Sequence, residues 1–549
     1  MEKKKVKDGD ITKDFEKKME TISPFELKNK LIDLANISGK KLSNMMLNAG
    51  RGNPNWIATT PREAFFLLGR FGLEECKRVF SLKEGIAGIP ELNGIGKRFK
   101  EFLKENAKEP GARLLKGAFQ YMIDTHQADP DALAHEWAEG VIGDQYPVPD
   151  RILHFTEQIV QDYLAQEMCD KRPPRGSFDL FATEGGTAAM CYVFDSLQEN
   201  YLLNRGDSIA LMVPAFTPYI EIPELKRYRF NVTEIHASQM TTDGKHTWQY
   251  PDEELDKLRN PQIKALFLIN PSNPPSYALN KHAINFIKDV VKKDNPNLMI
   301  ITDDVYGTFV PNFRSLMADL PHNTICVYSF SKYFGATGWR DAVIALHTDN
   351  IYDKMIADLP RSIKESLARR YGSIGLDTGN MKLIDRMVAD SRMVALNHTA
   401  GLSLPQQTQM SLFAAFALLD KKDAYKTRMH QLIQSRLKAL WNHTGFELEE
   451  DPLRAGYYAE IDMLVWGKKI YGQEFIDYLT KEYAPLDIVF RLANETSLVL
   501  LNGSGFDGPE WSIRVSLANL NKEDYVKIRK SIRALLDDYA DTWQKSLSK

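Results

Sequence analysis

Ser329-Phe330-Ser331-Lys332-Tyr333-Phe334-Gly335-Ala336-Thr337-Gly338-Trp339-Arg340 starts on the last residue of a short apolar run, TICVYS at 324–329. That run is too short for a buried helix and is rich in residues that suit a strand. A lysine at the end of such a strand, set among aromatics and partly stripped of water, is placed to act as a nucleophile toward a carbonyl. Arg340 can hold a phosphate. Similar runs lie on both sides: FDLFA (178–182), SIALMV (208–213), KALFLIN (264–270), LMIIT (298–302) and AVIALH (342–347). Helix-like segments such as TAAMCYVFDSLQENYLL and KHAINFIKDVVKK separate several of them. This alternation predicts an α/β fold, a largely parallel sheet covered by helices on both faces. Open sheets of that kind bind ligands beyond the carboxyl ends of their strands.

The residues after each strand therefore matter most. FDLFA leads into Thr183-Glu184-Gly185-Gly186-Thr187, which opens a helix. Glycines there let the backbone approach a ligand, and a helix start favours an anion. Taken alone, such a turn is most often only a turn. SIALMV leads into Pro214-Ala215-Phe216-Thr217-Pro218-Tyr219, where Phe216 can stack on a flat ring or simply pack the loop. Asn270-Pro271-Ser272-Asn273-Pro274-Pro275 demands a rigid turn, from which Asn273 can present its amide. LMIIT ends at Asp303-Asp304-Val305-Tyr306. Two acids there are costly if buried unpaired, so a cationic partner is expected unless the loop is exposed.

The chain has 549 residues, more than one hydrophobic core usually serves. Hydrophobic residues make up 43%, charged residues 26%, and the formal net charge is −3. Nothing in that balance implies a nucleic-acid or membrane partner. No window approaches ~18 uncharged apolar residues, and the start of the chain lacks the apolar stretch of a secretory signal. Cys76, Cys169, Cys191 and Cys326 are scattered, which suggests neither a metal site nor a disulfide framework and fits a reducing cytoplasm. The Lys-rich first twenty residues interleave their lysines with acids, as in a solvated helix or a frayed arm. AGYYAEIDML, SLVLLNG and WSIRVSLANL look like strands, and 522–547 has helical spacing, which together predict a smaller α+β domain. The expected division is a helical extension over 1–140, which contributes to the small domain and to oligomer contacts, a large domain over 141–400 and a small domain over 401–549. The polar, helix-like segment 351–400 is expected to bridge the two domains.

Together, and in this order, these strand ends resemble the class I and II aminotransferases, fold type I pyridoxal 5′-phosphate enzymes. The motif Ser-x-Ser-Lys-x-x-x-x-x-Gly-x-Arg at 329–340, with Asp-x-x-Tyr at 303–306, carries the resemblance, which runs from about Leu47 to the C-terminus. It implies a seven-stranded sheet and a set of roles. Lys332 would hold the cofactor and move the proton at Cα of the substrate. Asp303 would pair with the pyridine nitrogen, and Tyr306 and Asn273 with the phenolic oxygen. Phe216 would stack on the ring. Gly186, Thr187, Ser329 and Arg340 would cradle the phosphate, which Tyr146 would reach from a neighbouring subunit. Arg514 would clamp the substrate α-carboxylate, although an isolated arginine in a strand is more often a surface ion pair.

The sequence departs from the common pattern at Asn273-Pro274-Pro275-Ser276, where Asn-Pro-Thr-Gly is usual. It is also ~150 residues longer than an ordinary member, more than loop variation supplies. With Leu47-Asn48-Ala49-Gly50-Arg51-Gly52-Asn53-Pro54-Asn55-Trp56, these departures resemble one subgroup, the bacterial aspartate 4-decarboxylases that also act as aspartate aminotransferases. The resemblance implies release of CO2 from L-aspartate to give L-alanine, with transamination to keto acids from the same site. A dicarboxylate needs a second basic contact; Arg51 is the candidate, against an ordinary loop arginine. A plain aminotransferase is the enzymatic alternative. An aminotransferase-like transcriptional regulator would need a basic N-terminal module, and the N-terminus here is charge-balanced. A catalytically inactive scaffold sits poorly with the complete set Asp303, Tyr306, Lys332, Arg340 and Arg514. Sites of this fold type are completed between subunits, which implies at least a homodimer and extends to a dodecamer of six dimers.

Overall fold

The computed structural model describes residues 12–20, 22–42, 46–242, 244–394, 396, 399, 401–445 and 447–548. Its large sheet is built from β1 (Phe178–Thr183), β2 (Ser208–Val213), β3 (Asn231–His236), β4 (Ile263–Ile269), β5 (Met299–Asp303), β6 (Thr324–Ser329) and β7 (Ala342–His347). The order is β1-β7-β6-β5-β4-β2-β3. Only β7 runs antiparallel to its neighbours. β5, β6 and β7 are buried along their whole length, as strands covered on both faces must be. The register aligns Ile269 with Asp303 and Asp303 with Val327, so β4, β5 and β6 end together. Ser329 pairs with Ala342, which brings the start of β7, and Arg340 just before it, to the same edge.

β3 is the strand the apolar runs do not reveal. Its sequence, NVTEIH, lies at the sheet edge and exposes its first two residues. An edge strand needs fewer apolar residues, so its signal is weak.

Helices and a small sheet complete the fold around the large sheet. α1 (Lys13–Met19) and α2 (Pro24–Leu42) come first, then α3 (Thr59–Val79), α4 (Ile95–Glu105), α5 (Ala112–His126), α6 (Pro130–Ile142) and α7 (His154–Glu167). Residues 1–11 of the Lys-rich arm lie outside the described residues; α1 follows, capped by the Thr12 hydroxyl. α2 packs on the helix Asp487–Thr496, and its Leu27, Leu31, Leu34 and Ala35 join the small-domain core. α3 to α6 instead pack on one another and on the helix Leu404–Leu419, within the core that contains the large sheet. The small domain holds β8 (Tyr458–Asp462), β9 (Leu501–Asn502) and β10 (Ser512–Ser516), antiparallel in the order β9-β10-β8. The helix Lys522–Leu547 covers it, started by a reciprocal Asn521–Asp524 capping box.

Two expectations need correction. Segment 351–400 does not bridge domains: its helix Leu383–Ser391 packs on β1 and on α8 (Gly186–Glu199), and Tyr352, Tyr371 and Arg386 are buried in the large core. A few of its polar residues face inward, where Tyr371 donates to Asp390 at 2.9 Å and Arg370 reaches the same carboxylate, while Arg361, Lys364 and Glu365 stay exposed. Nor does the core divide at residue 400, because the helix Leu404–Leu419 belongs to the large core and the small-domain core starts within Ala424–Trp441. Among the described residues, no helix is long and apolar enough to cross a membrane, and no group of three or more His, Cys, Asp or Glu is placed to hold a metal.

Candidate active site

Beyond the aligned strand ends lies a cavity of about 320 Å³. Gly186, Thr187, Phe216, Asn273, Asp303, Tyr306, Ser329, Lys332, Arg340 and Arg514 all line it. Segments from Phe25 to Arg514, near the two ends of the chain, thus meet at one place.

Lys332 leaves the end of β6 half-buried, and its Nζ donates to the carbonyl of Gly52 at 3.2 Å. The turn after it is held from outside. Trp56 Nε1 and the Tyr425 hydroxyl donate to the Tyr333 carbonyl at 3.2 and 2.8 Å. The Ala58 amide and Arg62 donate to the Phe334 carbonyl, and Arg62 also reaches that of Gly335 at 2.8 Å. Gly335 adopts φ of +60°, and a Cβ there would stand 1.9 Å from the Trp56 carbonyl oxygen. Only glycine fits that approach.

Asp303, the last residue of β5, is buried. Burial raises its carboxyl above the usual range, against donation by the Tyr219 hydroxyl at 2.6 Å, the Val305 amide at 3.1 Å and the charge of Lys332. Its hydrogen-bond donors in the structure are thus a hydroxyl and an amide, and the carboxylate lines the cavity. Asp304 points the other way: Ser315, Thr302 and Cys326 donate to it, and burial pushes it up to about 7. One acid of the pair therefore serves the cavity and the other the fold.

At the opposite wall Arg514 on β10 is 1% exposed. It donates to the Gly50 carbonyl at 3.0 Å and to Asn273 Oδ1 at 3.3 Å, and its Nε is buried without a partner among the described residues. Its guanidinium lies 4.4 Å from the Tyr458 ring centroid and 4.8 Å from that of Phe506. Such stacking presents the planar fork for a carboxylate. The Tyr306 hydroxyl donates to that of Tyr458 at 3.1 Å, and burial holds Tyr306 well above the ordinary phenol range.

The third corner is an anion cradle. α8 begins at Gly186, after Gly185 in a left-handed conformation with φ of +98°. A Cβ on Gly185 would lie 2.1 Å from Arg340 Nη2, so the glycine makes room for the guanidinium. Arg340 is aimed by the carbonyls of Thr337 and Glu184. The Ser329 hydroxyl donates to that of Ser331. Free amides at a helix start, hydroxyls and a guanidinium form a donor set suited to a phosphate. A buried carboxylate on one side and a tyrosine and an asparagine on the other suit a pyridine ring, and Lys332 lies within the same cavity.

Two sequence-stated candidates lie outside this cavity. Arg51 is exposed on the loop before Gly52, close enough for its charge to act on Lys28 of α2. Tyr146 is 67% exposed on the surface after α6. Sequence reading also missed several lining residues. Tyr219 belongs to a strand-end segment and could have been found as a donor to Asp303. Phe25 and Tyr458 carry no motif and arrive from the N-terminal arm and the small domain, while Gly52 and Asn53 belong to the segment 47–56, in which only Arg51 has a predicted role. The Phe25 ring stands edge-on to Phe216 at 5.6 Å, so α2 contributes to the cavity wall.

The family model for aminotransferase class I and II matches residues 182–532. A bifunctional aspartate aminotransferase and L-aspartate beta-decarboxylase of Pseudomonas sp is 47% identical over 97% of this chain and 99% of its own length. A kynurenine–oxoglutarate transaminase of Dictyostelium discoideum is 32% identical over 25% of this chain and 35% of its own. Among solved structures, the Saccharomyces cerevisiae protein Bna3p, described as a putative kynurenine aminotransferase, superposes with a TM-score of 0.56 at 15% identity, covering 96% of this chain and 99% of Bna3p. The Thermus thermophilus aspartate aminotransferase with maleate gives 0.52 at 15% identity, covering 94% and 96%. At that identity the structural likeness speaks for the fold alone. The cofactor of this fold is pyridoxal 5′-phosphate, whose phosphate, ring and aldehyde match the three corners of the cavity. This chain belongs to the class I and II aminotransferase family.

Proposed function

We propose that the protein removes the side-chain carboxylate of L-aspartate to give L-alanine and CO2, and transaminates aspartate in the same site. The observation that carries this reading is the 47% identity, over nearly the full length of both chains, to a bifunctional enzyme of that description. The complete cavity supports it. When bound, pyridoxal phosphate supplies the electron sink for proton removal at Cα and for loss of CO2 from Cβ.

The chain's own residues have separable tasks. Arg340, with Ser329, Thr187 and the amides at the start of α8, binds the phosphate. Asp303 holds a proton on the ring nitrogen, with Tyr219 and Val305 fixing its orientation. Arg514 orients the substrate through its α-carboxylate, which displaces weaker carbonyl partners. Lys332 anchors the cofactor and carries a proton to and from Cα. α2, through Phe25, excludes water from the mouth. Arg51 remains the proposed contact for the distal carboxylate; it requires the exposed loop to turn inward.

A subunit partner completes the reading. Tyr146 and Val148 are strongly exposed, as are Phe66, Leu73, Leu82, Ile86 and Ile89 of the N-terminal extension. An apolar surface of this kind fits self-association, with Tyr146 directed to a neighbour's phosphate and a dimer or larger assembly of dimers as the unit. The cytoplasm suits the four unpaired thiols. Two assays test the proposal. Lys332→Ala abolishes the absorbance of lysine-linked cofactor; an unchanged band removes the anchor. With 2-oxoglutarate present as amino acceptor, aspartate yields alanine and CO2 in equal amounts beside some oxaloacetate and glutamate; oxaloacetate and glutamate alone identify a plain aminotransferase.

A further inference from the structure

A second cavity, of about 270 Å³, adjoins the first, at the seam between Thr241 and residues 245–248 of the large domain and the small-domain strand β8. The two share one wall, Tyr458. The aldehyde-holding lysine and the phosphate cradle belong only to the first, so the second has no part in the chemistry above.

Its lining is unusual in two respects. The walls are aromatic. His246 stacks on Trp248 with centroids 4.4 Å apart and planes 15° apart, and Trp441 meets Trp466 edge to face at 5.6 Å. The charged groups are mostly acids. Glu460 stands at its floor, and Asp462, Glu447, Glu449, Glu450 and Asp451 surround it. Of the basic residues there, Lys245 is engaged by Glu449 at 3.3 Å, Arg454 by the Tyr277 hydroxyl at 2.7 Å, and His246 by Asp462 at 2.9 Å.

Glu460 is the decisive group. It is 6% exposed, and Ser512 donates to its Oε1 at 2.8 Å, while Oε2 is buried without a partner among the described residues. His246 Nδ1 is likewise unpartnered. Burial, with the neighbouring Asp462, pushes the Glu460 carboxyl up to about 8, and an oxygen so buried with no partner is one that a cationic donor would ionise and satisfy. A ligand that donates to Glu460 and lies flat among indole rings satisfies both features, through a charge-assisted bond and cation–π contact.

We propose that this cavity is a second ligand site, for a compact organic cation that carries an amidinium- or ammonium-type group on a flat apolar body, with Glu460 as its counter-ion. The site is distinct from the substrate site, and the two share Tyr458, whose ring supports the Arg514 guanidinium. Benzamidine is the probe, because it carries the required group on a single ring and is a poor partner for an aldehyde; benzoate is the same ring with the charge reversed. Calorimetry on the cofactor-loaded enzyme should show saturable benzamidine binding at one per chain and none for benzoate. Glu460→Gln should weaken it at least about tenfold, the loss expected for a charge-assisted bond. His246→Leu, which leaves β8 and β10 intact, should weaken it as well and carries the test if Glu460→Gln does not fold, as judged by cofactor absorbance. Equal binding of benzoate, binding unchanged in the folded variants, or no saturable binding overturns the proposal. The readout uses no turnover, so it stands or falls separately from the aspartate reaction.

Discussion

Asp303 and Arg514 show how much single residues can carry. Asp303 combines burial with two donors, and a neutral amide in its place cannot hold a proton on a ring nitrogen. Asp303→Asn should lower kcat by roughly 10- to 150-fold, the worth of one charge-assisted hydrogen bond of about 1.5–3 kcal/mol, while cofactor still binds. Steady-state rates on cofactor-saturated enzyme check this; an unchanged kcat contradicts the role. Arg514→Lys should raise KM for aspartate by a similar factor, because an ammonium cannot reproduce the planar fork that reaches both Gly50 and Asn273. An unchanged KM would move substrate binding elsewhere. These residues were legible in the sequence because each follows or sits in a strand beside a recognisable neighbour. Tyr219 was half legible, and Tyr458 and Phe25 were not. Their roles arise from packing between distant segments, which leaves no local spacing to read. Arg51 looked equally apt in sequence, yet the fold leaves it exposed outside the cavity.

The elements that carry these side chains were read with uneven success. The buried strands β5, β6 and β7 announced themselves as apolar runs, whereas the edge strand β3 hid behind its polar residues. The turn after Lys332 was visible as a motif, but not what holds it. α3 does so, through Arg62, together with Trp56 and Ala58 just before it. Part of the long N-terminal extension thus braces the turn that carries Lys332. Gly335→Ala should therefore cost about 1–3 kcal/mol of stability from the left-handed backbone alone, and more from the collision with Trp56. It should also loosen cofactor retention, seen as a faster loss of absorbance on dialysis. A variant as stable and as well loaded as the parent would show that the turn tolerates a Cβ.

At the scale of the whole molecule, the arm α1–α2 joins the small domain to the cavity mouth. Its anchor includes Glu16, which is buried beside Asp487, and burial and that neighbouring acid push Glu16 up to about 8 from an ordinary value of 4.5. A carboxyl raised in the folded state holds its proton more tightly there than when unfolded. Its stabilising effect is full below pH 4.5 and is lost as pH rises toward 8. Amide exchange in α1 should therefore quicken across that window, and Glu16→Gln should flatten the dependence. An equally steep profile in Glu16→Gln would assign it to another group. The exposed apolar surface of the extension makes a second forecast: Phe66→Glu should shift the size measured by light scattering toward a smaller species without loss of the lysine-linked absorbance, and an unchanged mass would place the interface elsewhere.

The most direct test of the central claim follows the side-chain carbon of aspartate. With L-aspartate labelled at carbon 4 and pyridoxal phosphate present, carbon NMR should show the label leaving as CO2 and bicarbonate while unlabelled alanine accumulates, and neither should form with Lys332→Ala. Label retained wholly in oxaloacetate, or released equally by Lys332→Ala, would contradict the account.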